Sequence, residues 1–387
     1  MIASKVEPSL KAAIDKGQIP GIVALATDAD DTIYSGAFGA REFAGTVPMT
    51  EDSVFWIASM TKPLTSTAAM QLVERGRLKL DDPIGRLLPD LASPQVLEGF
   101  AADGTPKLRP ARTAITLRHL LTHTAGFCYD MWNADMVRYM AHAGIPGIIS
   151  CEHKALTIPL TNDPGSAWEY GINIDFVGKA VEAASGKTLG AFLRDEVFEP
   201  LGMKDTSFKL RDDQLKRRVS MHSRKSAESF DVIPFEVPQQ PEFEMGGGGL
   251  YGTSHDYARF LRMILNRGRA NGHQVLKPET VDLMAQNHMG DLNMTKMHAA
   301  IPAVTNDVDV YPDQDKKWGL SFMINTKKTD EGRNAGSLAW AGLANTYFWI
   351  DPKARVGGMV MTQILPFADP HVMGQLGNLE RAVYAVQ

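Results

Sequence analysis

The amino-acid sequence predicts an α/β protein, with one sheet assembled from the two ends of the chain and a mainly helical region inserted between them. Three observations carry that prediction. Strand-like runs gather near the N terminus (residues 21–27 and 32–39) and again from Trp318 onward. Between residues 81 and 244 such runs are scarce, and Pro, Gly and Asp punctuate short helical segments instead. At 387 residues, 44% hydrophobic and 22% charged, the chain has the length and composition to bury a large core. The expected division is a discontinuous sheet domain, residues 1–80 and 245–387, and an inserted helical domain, residues 81–244.

Taken in order, residues 9–16 read as a short amphipathic helix stopped by Gly17. Residues 21–27 are a buried-strand run, Asp28 to Asp31 turn the chain, and residues 32–39 return as a second strand. A helix starting at Ser59 and ending at Gly76 keeps Leu64, Ala68, Ala69, Leu72 and Val73 at the spacing of a core helix. Residues 117–122, 175–185 and 189–197 are helical segments of the insert; residues 232–244, with three prolines, form an irregular connection. The run Gly246-Gly247-Gly248-Gly249 precedes a helix over 254–266. Residues 286–317 lack periodicity, and a loop of that length suggests a flap over a pocket, with Met289, Met294 and Met297 as flexible contacts. Strand-like runs over 318–326, 338–350 and 356–365 and a helix over 371–386 close the chain.

Several function classes fall away. A net charge of −5 without a basic stripe argues against a nucleic-acid binder. No stretch is apolar for the length of a membrane span, and the start of the chain lacks a signal-peptide core, so a cytoplasmic location is the expectation. Cys128 and Cys151 make no disulfide framework. Gly247, Gly249 and Gly252 satisfy a dinucleotide-loop spacing, but the preceding Pro238–Phe243 stretch is a poor strand, so close backbone packing or a turn near a pocket is the better reading. His119 and His123 have metal-ligand spacing with no third ligand nearby, which favours packing. There is no G-x-S-x-G, which excludes the usual strand–turn–helix serine nucleophile.

What remains is Ser59-Met60-Thr61-Lys62. Positions i and i+3 share a helix face, so the Ser59 hydroxyl and Lys62 amine lie within reach of each other. A helix start favours developing negative charge, and a crowded, dry lysine loses basicity. A neutral amine beside a hydroxyl is a base–nucleophile pair. Alone, the pattern is better read as a capping serine followed by a surface lysine. Two further segments weigh against that. Tyr170 follows a Pro164-Gly165 turn and precedes a helix, and a positive charge on Lys62 would lower its phenol pKa. Residues 337–352 read as a strand, a glycine-permitted irregularity at Gly342 and a second strand, whose edge offers a backbone N–H to an oxyanion.

The order Ser59-x-x-Lys62, Tyr170, Trp340-Ala341-Gly342 resembles the serine penicillin-recognising superfamily, which includes class C β-lactamases, D-Ala-D-Ala carboxypeptidases and family VIII carboxylesterases. Residues 117–126 and the glycine run at 246–249 agree with it. The resemblance implies a β-lactamase-like fold with an antiparallel sheet. It also implies Ser59 as acylated nucleophile, Lys62 and Tyr170 sharing the acid–base work, and the N–H groups of Ser59 and Leu343 as oxyanion hole. Trp340, Ala341, Gly342, Tyr129 and Ile172 would contact substrate, with no metal or organic cofactor required. Two departures bear on the substrate. Trp340 stands where the β-lactamases and peptidases usually carry a cation for a substrate carboxylate, and this tryptophan variant resembles that of the family VIII esterases. Ile172 stands where they have an amide-reading asparagine, with Asn173 one place off. The expectation is therefore a carboxylesterase for small uncharged esters. A β-lactamase or peptidase, an acyltransferase with the same catalytic residues, and a non-catalytic binding relative are the alternatives.

Overall fold

A computed structural model describes residues 1–386. Its seven-stranded sheet uses β1 (Gly21–Asp28), β2 (Thr32–Gly39), β3 (Lys316–Trp318), β4 (Met323–Asn325), β5 (Leu338–Gly342), β6 (Thr346–Asp351) and β7 (Val356–Met361) in the spatial order β3-β4-β5-β6-β7-β1-β2. Every pairing is antiparallel. The two ends of the chain meet where β1 pairs with β7, from Val23 against Met361 to Asp28 against Val356.

Five longer helices organise the rest: α1 (Ile2–Asp15), α2 (Thr61–Glu74), α3 (Asn173–Ser185), α4 (Ser254–Leu265) and α5 (Pro370–Tyr384). Helices α1 and α5 pack on each other and on the sheet, while α4 packs on β1 and β7. Strand β1 is therefore buried at consecutive positions from Ile22 to Ala26, not at alternate ones. Helix α2 is also buried nearly all round, from Thr61 to Leu72, as expected of a helix enclosed within a large core.

The sequence reading needs four corrections. The first helix starts at Ile2, seven residues before the expected start at 9: Ile2, Val6, Leu10 and Ala13 form one buried stripe, and Pro8 removes only one backbone bond inside it. Residues 318–326 are not one strand, because a turn with Ser321 at φ 88° separates β3 from β4. After β7 the chain leaves the main sheet, and Ile364–Leu365 pairs in parallel with Met221–Ser226. The middle of the chain is richer in strands than expected. It carries two hairpin ladders, Gln95–Phe100 with Pro106–Pro110 and Met221–Ser226 with Ser229–Ile233, whose exposed, polar-rich strands give little hydrophobic signal.

Candidate active site

Ser59 lies on a tight turn, Ala58–Met60, that runs directly into α2. Ala58 has φ 44°, in the left-handed region that costs a residue with a side chain about 1–3 kcal/mol unless its surroundings impose it. Here they do. Gln363 accepts from the Trp56 N–H at 3.1 Å and donates to the Trp56 carbonyl at 3.0 Å. The Ile57 N–H donates to Leu250 at 3.0 Å, and the Leu250 N–H donates to the Thr61 hydroxyl at 3.1 Å. Tyr257 donates to the Met60 carbonyl at 3.0 Å.

Lys62, one turn on, is fully buried. Its Nζ lies 3.0 Å from Ser59 Oγ, 2.9 Å from the Tyr129 hydroxyl and 2.6 Å from the Gly247 carbonyl oxygen. A carbonyl can only accept, so one amine hydrogen must point at Gly247. With a second hydrogen on the Tyr129 oxygen, a neutral Lys62 aims its lone pair at Ser59; a protonated Lys62 satisfies all three partners with its three hydrogens. Either state fits without rearrangement. Burial pushes the amine below the ordinary lysine range, and the charge of Asp175 pulls it partly back.

Tyr170 sits among rings. Its centroid is 4.8 Å from Trp340, 4.7 Å from His123, 5.3 Å from Tyr129 and 5.6 Å from Trp132. The Trp340 indole N–H donates to the phenol oxygen at 2.7 Å. The expectation that Lys62 would lower the phenol pKa is not met. Burial raises it well above the usual tyrosine value, and hydrogen bonds with Ser59 and Trp340 offset this only in part. His123 is buried and neutral: burial lowers its pKa, the Lys62 charge adds to the effect, and its Nδ1 faces the Asn173 amide at 3.0 Å. His119 is used differently, closing a capping interaction with Thr116, so the pair makes no common site.

The edge of β5 closes the site. A side chain at Gly342 would place its Cβ 2.3 Å from the Ile57 carbonyl oxygen, so only glycine lets this strand meet the Ser59 turn. Leu343 and Ser59 consequently line the same crevices. Trp340, Ala341, Gly342 and Tyr170 join them in one, Tyr129 in the other, and no lining residue of either is charged. Ile172, expected to contact substrate, lines neither; it is buried before α3, and the neighbouring Asn173 amide turns to His123 and the Phe127 carbonyl. The flap is also corrected. Met289, Met294 and Met297 belong to the core, and it is Val308–Tyr311 that borders a cavity of about 220 Å³. That cavity shares Trp340, Ala341 and Phe367 with the crevice at Ser59.

Two neighbours of Lys62 escaped the sequence reading. The Gly246–Gly249 strap was read as close backbone packing, which it is, but its role as acceptor for Lys62 has no local signal. Asp175, in the first turn of α3, accepts from the Gly247 N–H at 2.8 Å and is buried. Only its position five residues after Tyr170 could have drawn attention to it.

The sequence pattern of the beta-lactamase family matches residues 5–380. The chain belongs to that family. Within it, the chain is 34% identical to monacolin J acid methylbutanoyltransferase of Aspergillus terreus, over 98% of this chain and 95% of that protein. It is 32% identical to lovastatin esterase of Penicillium rubens, over 96% and 95%. Among solved structures, unliganded simvastatin synthase from Aspergillus terreus superposes with a TM-score of 0.85 at 33% identity, covering 100% of this chain and 98% of that one. The fold is thus β-lactamase-like, and the chain is an enzyme of the serine hydrolase and acyltransferase kind. No described helix is long and apolar enough to cross a membrane.

Proposed function

We propose that this chain is a serine acyltransferase with esterase activity, transferring a small uncharged acyl group from an ester to an alcohol through an acyl-enzyme on Ser59. A carboxylesterase of the family VIII type, the first expectation from sequence, is the same chemistry with water as acceptor. The relatives favour transfer, since several are named as acyltransferases and one as an esterase.

The observation that carries the reading is the pairing of Ser59 with a buried lysine whose other partners all accept its hydrogens. Neutral Lys62 takes the Ser59 proton as the oxygen attacks the ester carbonyl. The N–H groups of Ser59 and Leu343 hold the oxyanion. Tyr170 keeps its proton because its phenol is buried; with Trp340 donating to the oxygen, the O–H beside Ser59 serves the leaving alkoxide as acid. The leaving alcohol departs protonated. The incoming alcohol then gives its proton to the Tyr170 phenolate as it attacks the acyl carbonyl, and Ser59 leaves by taking back its proton from Lys62, which restores both groups.

Substrate class follows from the walls. The crevice offers indole and phenyl faces and no charge. The adjoining cavity of about 220 Å³ exceeds the ~150 Å³ that holds one benzene ring, so a branched chain or ring fits. Its arginine, Arg333, is already bound in bidentate fashion by Glu380 at 2.7 and 2.6 Å and offers nothing to a substrate carboxylate.

The test is a partition experiment with p-nitrophenyl butyrate and increasing concentrations of a neutral cyclic alcohol. Ester product should grow at the expense of butyrate, with the acyl adduct mapped to Ser59 by peptide mass spectrometry. Butyrate as the only product at every alcohol concentration refutes transfer and leaves the esterase; no adduct on Ser59 refutes both.

A further inference from the structure

Asp175 is a buried carboxylate that the acyl-transfer chemistry has not used. It stands one residue removed from Lys62: Oδ1 accepts the Gly247 N–H at 2.8 Å, and the carbonyl of that same Gly247 accepts from Lys62 at 2.6 Å. Its Oδ2 has no hydrogen-bond partner among the described residues. A Cβ on Gly247 would come 2.6 Å from that oxygen, so the strap has no room for a side chain where it crosses the carboxylate. Such placement is costly for a carboxylate that only packs, since a buried, half-satisfied charge destabilises a fold.

Resting on the Ser59–Lys62 reading above, we propose that Asp175 is a positioning residue of the proton-transfer system. Through Gly247 it fixes the carbonyl that orients Lys62, and it supplies the countercharge when the Ser59 proton arrives. The groups facing Lys62 leave that role to it alone. Ser59, Tyr129, Tyr170 and the Gly247 carbonyl are uncharged partners or neighbours, and His123 is held neutral. Among the described residues Asp175 is the one charged group acting on the amine, and the influence is mutual: burial raises the carboxyl pKa, while Lys62 and the Gly247 N–H lower it. An ammonium formed in so dry a place is costly without a carboxylate near.

The experiment compares wild type with Asp175→Asn and Asp175→Glu, reading kcat/KM for p-nitrophenyl butyrate against pH and thermal stability in parallel. Asparagine keeps an oxygen for the Gly247 N–H and removes the charge. Its plateau should fall about tenfold or more, and its acidic limb should move to lower pH by roughly one unit, since an uncompensated amine deprotonates more readily. Glutamate keeps the charge and should hold the limb close to wild type. An unmoved limb with a full plateau in Asp175→Asn overturns the proposal, as does lowered stability alone. If that variant does not fold, a displaced limb in Asp175→Glu overturns it instead. Fluorophosphonate labelling of the wild type separates the levels: without an adduct on Ser59 the parent reading falls and this one with it, whereas labelling with an unmoved limb removes only Asp175.

Discussion

Two cations lie buried near the two ends of the cleft, and the fold treats them in opposite ways. Lys62 beside Ser59 meets three oxygens that carry no charge, and Asp175 shares no hydrogen bond with it but sits across the Gly247 residue. Arg333 at the far cavity meets Glu380 directly through two hydrogen bonds, with both side chains almost fully buried. Burial lowers the basicity of each. At Lys62 it prevails; at Arg333 the Glu380 charge more than reverses it and the pKa is raised. Burial by itself therefore does not make a reactive base. The two differ in whether the countercharge touches the cation or is kept one peptide away, on top of the greater intrinsic basicity of a guanidinium.

The strongest way to break that contrast is to remove the reactive member. Lys62→Met nearly preserves length and volume but its thioether is not basic enough to take the Ser59 proton, and should lower kcat/KM for a short ester on the order of 10² to 10⁴. Thermal stability should fall, because Asp175 is left buried without its countercharge and the Gly247 carbonyl loses its donor. In the wild type, kcat/KM should fall as pH drops through the depressed lysine pKa: below it Lys62 is an ammonium and cannot accept a proton, above it the amine is free. A pH profile whose acidic limb lies in the ordinary lysine range would contradict the buried-base assignment.

A smaller effect is expected where the comparison concerns charge available to substrate. Neither crevice at Ser59 is lined by a charged residue, and Arg333 is occupied, so a carboxylate-bearing acyl donor has no partner. Trp340→Lys supplies one. The indole bond to Tyr170 is lost with it, so both kinds of substrate slow. The ratio of a carboxylate-bearing to a neutral ester should nevertheless rise about tenfold, the worth of one charge-assisted hydrogen bond. An unchanged ratio would mean that Trp340 does not set charge selection.

The contrast also explains what could be read from the sequence. Ser59 and Lys62 are neighbours on one helical turn, so spacing alone brought them together. Tyr170 and Trp340 emerged through their order along the chain and the glycine at 342. Asp175 and Gly247 are linked only by tertiary packing, as are Arg333 and Glu380, and no periodicity reports such a pair. The missed start of α1 has another cause: Pro8 reads as a breaker, and only the neighbouring α5 makes the stripe of Ile2, Val6 and Leu10 worth burying. The Met-bearing stretch misled in a similar way, since its methionines fill the core and its later residues, Val308–Tyr311, face the cavity.

The smallest expected effect on turnover is the one that tests the other half of the comparison. Glu380→Gln removes the charge that holds Arg333 and leaves a guanidinium buried without a counterion. Breaking a buried pair from one side costs about 3–5 kcal/mol, because the remaining charge is desolvated for no return. Denaturant unfolding should register that loss. Turnover of p-nitrophenyl acetate should stay within about threefold of wild type, because Arg333 lines the adjoining cavity and not the crevices at Ser59, and Lys62 keeps its partners. The freed guanidinium becomes the test of the rule itself. Were proximity to a buried cation enough for catalysis or for substrate charge selection, Glu380→Gln should gain turnover on a long ester ending in a carboxylate. If a cation is useful only where the fold has arranged acceptors around it, the variant loses stability and gains nothing there.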